Sequence, residues 1–395
     1  MRHAVLPLLL AVNVLAACGG EAPPSIPQDA PVAPDMAALA DVVLQRLALR
    51  PGERVLLVGQ PGRFDAMVER LRAGVRAAGA EDLGGWPVEG SAPAGWETEF
   101  TRGLGGLDGD ALVTALSGVD AAVMLPGAVP AHPVYAALQA VLRGGRGRTV
   151  HFHWAGAYAL DGTLMDMDPG RAALYRDVLL STDYAALAAA QRAFEDAVRG
   201  AEVRVTTPAG TDLRFRVGDR PVTKQDGDAS AARAALARNL IDREVELPAG
   251  AIRVAPLEET VEGRVVFPPS AWGATTVEGL TLTFTRGVAV EVEAATGVEA
   301  VRAEMDGAGP AARAFREFAL GFNPLLAIPA TDPWIPYYGY GAGVVRLSLG
   351  DNTELGGAVG GGYVRWNFFT DATVTVDGVP WVENGRLVTQ PGAGA

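Results

Sequence analysis

The chain has 395 residues, 49% of them hydrophobic and 20% charged, which is enough for two domains and too apolar for a disordered chain. Asp and Glu number 46 against 33 Lys and Arg, a net charge of -13, so the basic face that nucleic-acid binding requires is excluded. A single cysteine excludes an intrachain disulfide, and past the N-terminus no uninterrupted apolar run reaches the roughly 18 residues of a membrane-spanning helix.

The chain opens Met1-Arg2-His3, continues through an apolar run from Ala4 to Ala17, and reaches Cys18. A short basic head, an apolar stretch and small residues before a cleavage point form a secretory signal over residues 1–17. Leu15-Ala16-Ala17-Cys18 resembles the lipobox of bacterial lipoproteins. That resemblance implies acylation of Cys18 and a protein tied to the cell envelope through its lipid. Gly19 and Gly20 after the cysteine favour the outer membrane where the host has one. Residues 18–35 are rich in Gly, Pro, Ala and Ser and read as a flexible tether.

Met36 to Leu49 has helical spacing, and Arg54-Val55-Leu56-Leu57-Val58-Gly59 reads as a buried strand. Phe64 to Ala78 is an amphipathic helix closed at Gly79. Asp110–Leu116 and Pro133–Leu142 are expected as helices, Asp120–Leu125 and Arg148–Trp154 as strands. This alternation predicts an α/β domain with a parallel sheet over 36–182. Gly59-Gln60-Pro61-Gly62 lacks the glycine spacing of a dinucleotide loop. Tyr175–Val198 reads as one long helix.

Beyond it the texture changes. Val203–Thr206 and Leu213–Val217 alternate around Pro208-Ala209-Gly210 as a hairpin. Strands are expected at 264–267, 280–284, 288–293, 344–349, 363–368 and 372–376, with short helices at Ala300–Glu304 and Ala311–Phe318. Residues 183–395 thus read as an α+β domain with a largely antiparallel sheet.

Four stretches of this half resemble the aminopeptidase T family of metallo-aminopeptidases. They are Thr207-Pro208-Ala209-Gly210-Thr211-Asp212-Leu213; Leu247-Pro248-Ala249-Gly250 with Ala255-Pro256; Arg316–Pro324; and Leu349-Gly350-Asp351-Asn352 through Arg365-Trp366-Asn367 to Val376-Asp377-Gly378. The resemblance implies an aminopeptidase T-like fold over roughly 36–390. It also implies a pair of divalent metals, Zn or Co, held by two Glu, two His and an Asp, which together supply a hydroxide for peptide hydrolysis. Carried over position by position, those ligands fall on Ala251, Glu317, Arg346, Arg365 and Asn367. Only Glu317 keeps a ligand type. No tyrosine stands near Thr353, where the family has its catalytic one, and no histidine follows His153. Arginine is a permanent cation and repels a metal.

The expectation is therefore a non-catalytic protein without a metal that binds a peptide, a peptidoglycan fragment or a protein. The alternative is an active metallo-aminopeptidase, and a further one a hydrolase of other chemistry in the same cleft. Glu317, Arg346 and Arg365 are expected to converge. One arginine neutralises Glu317 and the other either offers a positive charge to an anionic group or closes an ion-pair cluster. Tyr338 and Tyr340, in the aromatic run Trp334–Tyr340, are further ligand-binding candidates, or rings buried against the domain or a homodimer partner. His151-Phe152-His153 has a spacing that can chelate a metal, with Asp161, Asp166 and Asp168 nearest in sequence, or it is a strand end with two satisfied histidines. Gly356-Gly357 and Gly360-Gly361-Gly362 are turns or an anion cradle.

Overall fold

A computed structural model describes residues 35–388. The signal segment, the lipobox with Cys18 and all of the tether except Asp35 lie outside the described residues.

Five strands form an all-parallel sheet in the order Glu81–Pro87, Arg54–Gly59, Ala121–Met124, Arg148–Phe152 and Glu244–Leu247. Alternation along the central strand assigns its two faces. Val55 and Leu57 pack with Leu39, Val43 and Leu71 from helices Met36–Leu47 and Asp65–Ala77. Leu56 and Val58 pack with Leu112, Leu116 and Leu138 from helices Gly109–Leu116 and Pro133–Arg143. Covered on both sides, the inner strands Arg54–Gly59 and Ala121–Met124 read as nearly continuous apolar runs, as buried parallel strands do. The fifth strand, Glu244–Leu247, enters from the second half of the chain and pairs with Arg148–Phe152, Glu246 opposite His151.

The second half builds two antiparallel sheets. One has the order Val364–Phe369, Val345–Gly350, Phe315–Gly321, Ala251–Val254 and Thr223–Lys224. The other has eight strands and begins with the edge pair Val288–Glu293 and Thr281–Thr285, next to Glu262–Val266 and the hairpin Asp212–Arg216 with Glu202–Thr206. The α/β and α+β architecture read from the sequence holds.

Several elements differ from the sequence reading. Tyr175–Val198 is two helices, Pro169–Ser181 and Tyr184–Val198. Asp183 separates them because its carboxylate caps the amides of Ala185 and Ala186. The helix expected at Ala311–Phe318 is a single 3-10 turn, Pro310–Arg313, followed by the central strand Phe315–Gly321. All seven residues of that strand are buried, so period-two alternation is erased from its sequence. The strand Glu81–Pro87 carries two glycines, two acids and a proline and gave no strand signal.

Candidate functional site

Three neighbouring strands of the five-stranded antiparallel sheet create the site. Arg253 lies opposite Ala319 on one side, and Arg346 lies opposite Ala319 on the other. These three residues form one row and share a face. Glu317 stands two positions from Ala319 on the middle strand and joins that face. Ala319 is small, so both guanidinium groups have room to reach the carboxylate beside it. Arg346 donates from Nε and Nη2 to Glu317 Oε1 at 2.9 and 2.5 Å. Arg253 donates from Nε and Nη2 to Glu317 Oε2 at 3.3 and 2.9 Å. A register shift between Phe315 and Glu317 turns Arg316 toward the same cluster, its Nε 3.6 Å from Glu317.

Two more carboxylates complete the network. Glu354 accepts from Arg253 at 3.1 Å and from Arg316. Glu246 lies 3.9 Å from the other end of the Arg253 guanidinium and accepts the Tyr340 hydroxyl proton at 2.5 Å. Three arginines thus face three carboxylates. Glu317 is fully buried. Burial alone would raise its pKa, but the charges of Arg253, Arg346 and Arg316 outweigh that and hold it well below the usual carboxylate range. Burial likewise opposes the charge of Glu354, and Arg316 and Arg253 reverse the effect.

A second buried network lies behind the first, at the end of the parallel sheet. Glu244 is buried beside Gln139, which donates to it at 3.0 Å. Burial pushes its carboxyl up to about 8, with Glu354 and Glu246 adding to the rise. His151 bonds the Tyr135 hydroxyl at 3.0 Å through Nδ1 and the Thr149 hydroxyl at 2.9 Å through Nε2. Burial, and then His153, depress its pKa well below the usual value, so the ring is neutral. His153 lies past the end of its strand, with its ring against those of Tyr337 and Tyr338. Among the described residues no group of three or more His, Cys, Asp or Glu is placed to hold a metal.

The positions carried over from sequence separate into two groups. Ala251, Glu317 and Arg346 share one face, Ala251 opposite Gly321. Arg365 lies opposite Leu349 and Asn367 opposite Leu347, so both point to the other face. The expected convergence of Arg365 on Glu317 is therefore corrected. Arg365 stacks 3.6 Å from the Trp272 ring and bonds Glu304 at 3.1 Å and the Ala271 carbonyl at 2.6 Å. Asn367 donates to the Leu347 carbonyl. The arginine that shares Glu317 with Arg346 is Arg253, which sequence reasoning missed, along with Arg316, Glu246 and Glu354. A signal was present. An arginine inside the apolar run Ala251-Ile252-Arg253-Val254 is buried and requires an acid.

Tyr340 is buried in the network, and Tyr338 sits between the rings of His153, Tyr158 and Trp366. Tyr337 and Tyr338 hold positive φ angles of 38° and 53°, a strained pair that presents the Tyr338 carbonyl to Arg346 Nη1 at 3.1 Å. The glycines of the 356–362 loop cradle an internal anion, since Gly361 and Gly362 donate to Asp351 Oδ2.

The donor set does not fit a pair of divalent metals. Each oxygen of Glu317 already accepts two guanidinium hydrogen bonds, and the neighbouring cations cannot be deprotonated. The fold and site define an α/β and α+β scaffold whose antiparallel sheet carries a buried arginine–carboxylate cluster.

Residues 185–327 match the family model of the thermophilic metalloproteases (M29). Wild-type AmpT from Thermus thermophilus shares the fold with a TM-score of 0.55 and 20% identity, over 90% of this chain and 100% of that one. 2,5-Dihydroxypyridine dioxygenase from Pseudomonas putida shares it with a TM-score of 0.61 and 17% identity, over 91% of this chain and 98% of that one. A search of curated proteins finds no match. The chain thus resembles the thermophilic metalloproteases (M29) in sequence over 185–327 and shares the fold of AmpT over nine-tenths of its length.

Proposed function

We propose that this protein is a lipid-anchored envelope member of the aminopeptidase T family that binds a peptide without hydrolysing it. One observation carries the reading: the Glu317 carboxylate, the one family ligand type retained, is saturated by two arginines that are themselves buried. Hydrolysis in the family needs a metal-generated hydroxide, and a carboxylate committed to Arg253 and Arg346 has no lone pair free for a metal. The anchoring half of the proposal rests on Leu15-Ala16-Ala17-Cys18.

The test uses the full chain purified from membranes in detergent. Metal content is measured, and release of amino acids from short peptides is followed with added Zn²⁺ or Co²⁺. Substoichiometric metal and no release are expected. Tightly bound metal with turnover abolished by Glu317→Gln would establish an active metallo-aminopeptidase instead. Cys18→Ser is expected to leave the membrane fraction or to remain unprocessed. Identical fractionation and migration of mutant and wild type would end the anchoring proposal.

A further inference from the structure

We infer that the carboxyl end of the parallel sheet, beside Arg63 and Trp154, holds a phosphate-type oxyanion. This site lies in the first half of the chain and does not depend on the peptide-binding role proposed above.

Both residues stand at the same end of one sheet. Arg63 is in the connection from the strand Arg54–Gly59 to the helix Asp65–Ala77, and Trp154 follows the strand Arg148–Phe152 by two residues. The strand Ala121–Met124 lies between those two, and all three run parallel. The Arg63 guanidinium carbon is 5.9 Å from the centre of the Trp154 ring and 5.9 Å from that of Phe64. The helices that follow Arg54–Gly59 and Ala121–Met124 pack on opposite faces of the sheet. At such a reversal, outside the carboxyl ends of the strands, open α/β sheets take up ligands.

Arg63 makes no hydrogen bond or ion pair with any described residue, and its Nε and Nη1 are enclosed without a partner. Nη2 is not among the enclosed atoms, so a solute can reach it. Burial lowers the pKa of Arg63, and no carboxylate offsets that. Asp65, the acid nearest in sequence, accepts the Gly62 amide at 2.8 Å instead. Arg148, at the amino end of the same sheet, shows how this chain treats a structural arginine. It donates to Glu53 at 2.8 and 3.0 Å and to the Ala229 carbonyl at 2.7 Å. Stacking on two rings holds the Arg63 guanidinium in place but satisfies none of its N–H groups. Trp154 is 1% exposed, and its indole N–H also has no partner. Neighbouring enclosed donors require an acceptor, and the described residues supply none.

The chemistry of that acceptor follows from the donors. Nη2 forms one fork with Nε and another with Nη1, so an oxyanion arriving at Nη2 is bound through two oxygens on either side. The indole N–H offers a third contact. The helix Asp65–Ala77 begins beside Arg63 with no side chain capping its amides, and its positive end adds to the attraction. A tetrahedral phosphate directs oxygens toward several donors at once, which a flat carboxylate does not.

Thermal melting of the full chain in detergent, at constant ionic strength, tests this with inorganic phosphate, acetate and chloride. Phosphate is expected to raise the melting temperature saturably, with an affinity about tenfold tighter than acetate. Arg63→Gln is expected to abolish that rise while melting in chloride no lower than wild type, since it removes a half-buried cation without a partner. Arg63→Lys keeps the charge but loses the fork and is expected to bind phosphate about tenfold more weakly. Glycerol phosphate and micelles doped with phosphatidylglycerol separate a free phosphate ester from a lipid headgroup. A rise with either, lost in Arg63→Gln, supports the site and identifies its source. No saturable rise with any phosphate compound overturns the inference, as does an equal effect of acetate or a phosphate rise retained in Arg63→Gln. An Arg63→Gln protein that melts below wild type in chloride overturns it too, by giving the arginine a structural role of its own.

Discussion

Replacing Glu317 by Gln tests the closed cluster most directly. The wild-type carboxylate is fully buried and accepts four N–H groups, two from Arg253 and two from Arg346. Glutamine offers one oxygen and turns an NH₂ donor toward a guanidinium that also only donates. The cluster then holds three buried arginines against two carboxylates. Breaking a buried pair from one side costs about 3–5 kcal/mol, because the charge left behind is uncompensated. Urea unfolding of wild type and variant, with and without a chelator, reads this loss. The same loss is expected in both conditions, since the carboxylate serves arginines and no metal. A cost below about 1 kcal/mol, or a loss seen only where metal is present, would refute the reasoning. The pH dependence adds a second check. A carboxylate held below its unfolded value stabilises fully above that value, near 4.5, and the contribution drains as pH falls toward the folded one. Wild type is therefore expected to lose stability below about pH 4.5 more steeply than Glu317→Gln.

Glu244 has the opposite sign. Its folded pKa of about 8 lies above the unfolded value of 4.5, so the native state holds its proton more tightly and stability declines as pH rises from 4.5 to 8. Glu244→Gln, still an acceptor for Gln139, is expected to flatten thermal melts over that range, and an unchanged slope would contradict the assignment. Asp183→Ala removes the cap between two helices and is expected to cost about 1 kcal/mol, measured by urea unfolding. Gly321→Ala would place a Cβ 2.0 Å from the Gly341 carbonyl and is expected to lower the melting temperature clearly, whereas an unchanged melt would show that the strand crossing is looser than described.

Where burial is one-sided, the sequence announces its structure. The helix Asp65–Ala77 and the strand Thr281–Thr285 alternate apolar and polar residues at their own periods, and both were read within a residue or so. Phe315–Gly321 is buried on both faces, carries no such period, and resembles a helix because Arg, Glu and Ala favour helices. The site followed the same division. Glu317 and Arg346 were legible through family motifs, whereas their meeting depends on Ala319 lying between Arg253 and Arg346 across three strands. That register appears in no local window. The misplacement of Arg365 was a parity error: one position along a strand reverses the face, and motif spacing alone does not say which face a neighbouring strand shares.

The strand Glu244–Leu247 has a consequence for how the chain comes to be folded. Its partner, Arg148–Phe152, is made about 90 residues earlier. At roughly 5–20 residues per second of synthesis, that edge stands open for about 5–20 s before its neighbour exists. Its exposed main-chain groups and its apolar Val150 and Phe152 form a template for any other extended chain during that interval. A chain exported unfolded avoids the delay, because both strands are then presented together. A fragment ending near residue 183 never escapes it. Such a fragment is expected to aggregate at an edge that the whole protein seals with its own second half.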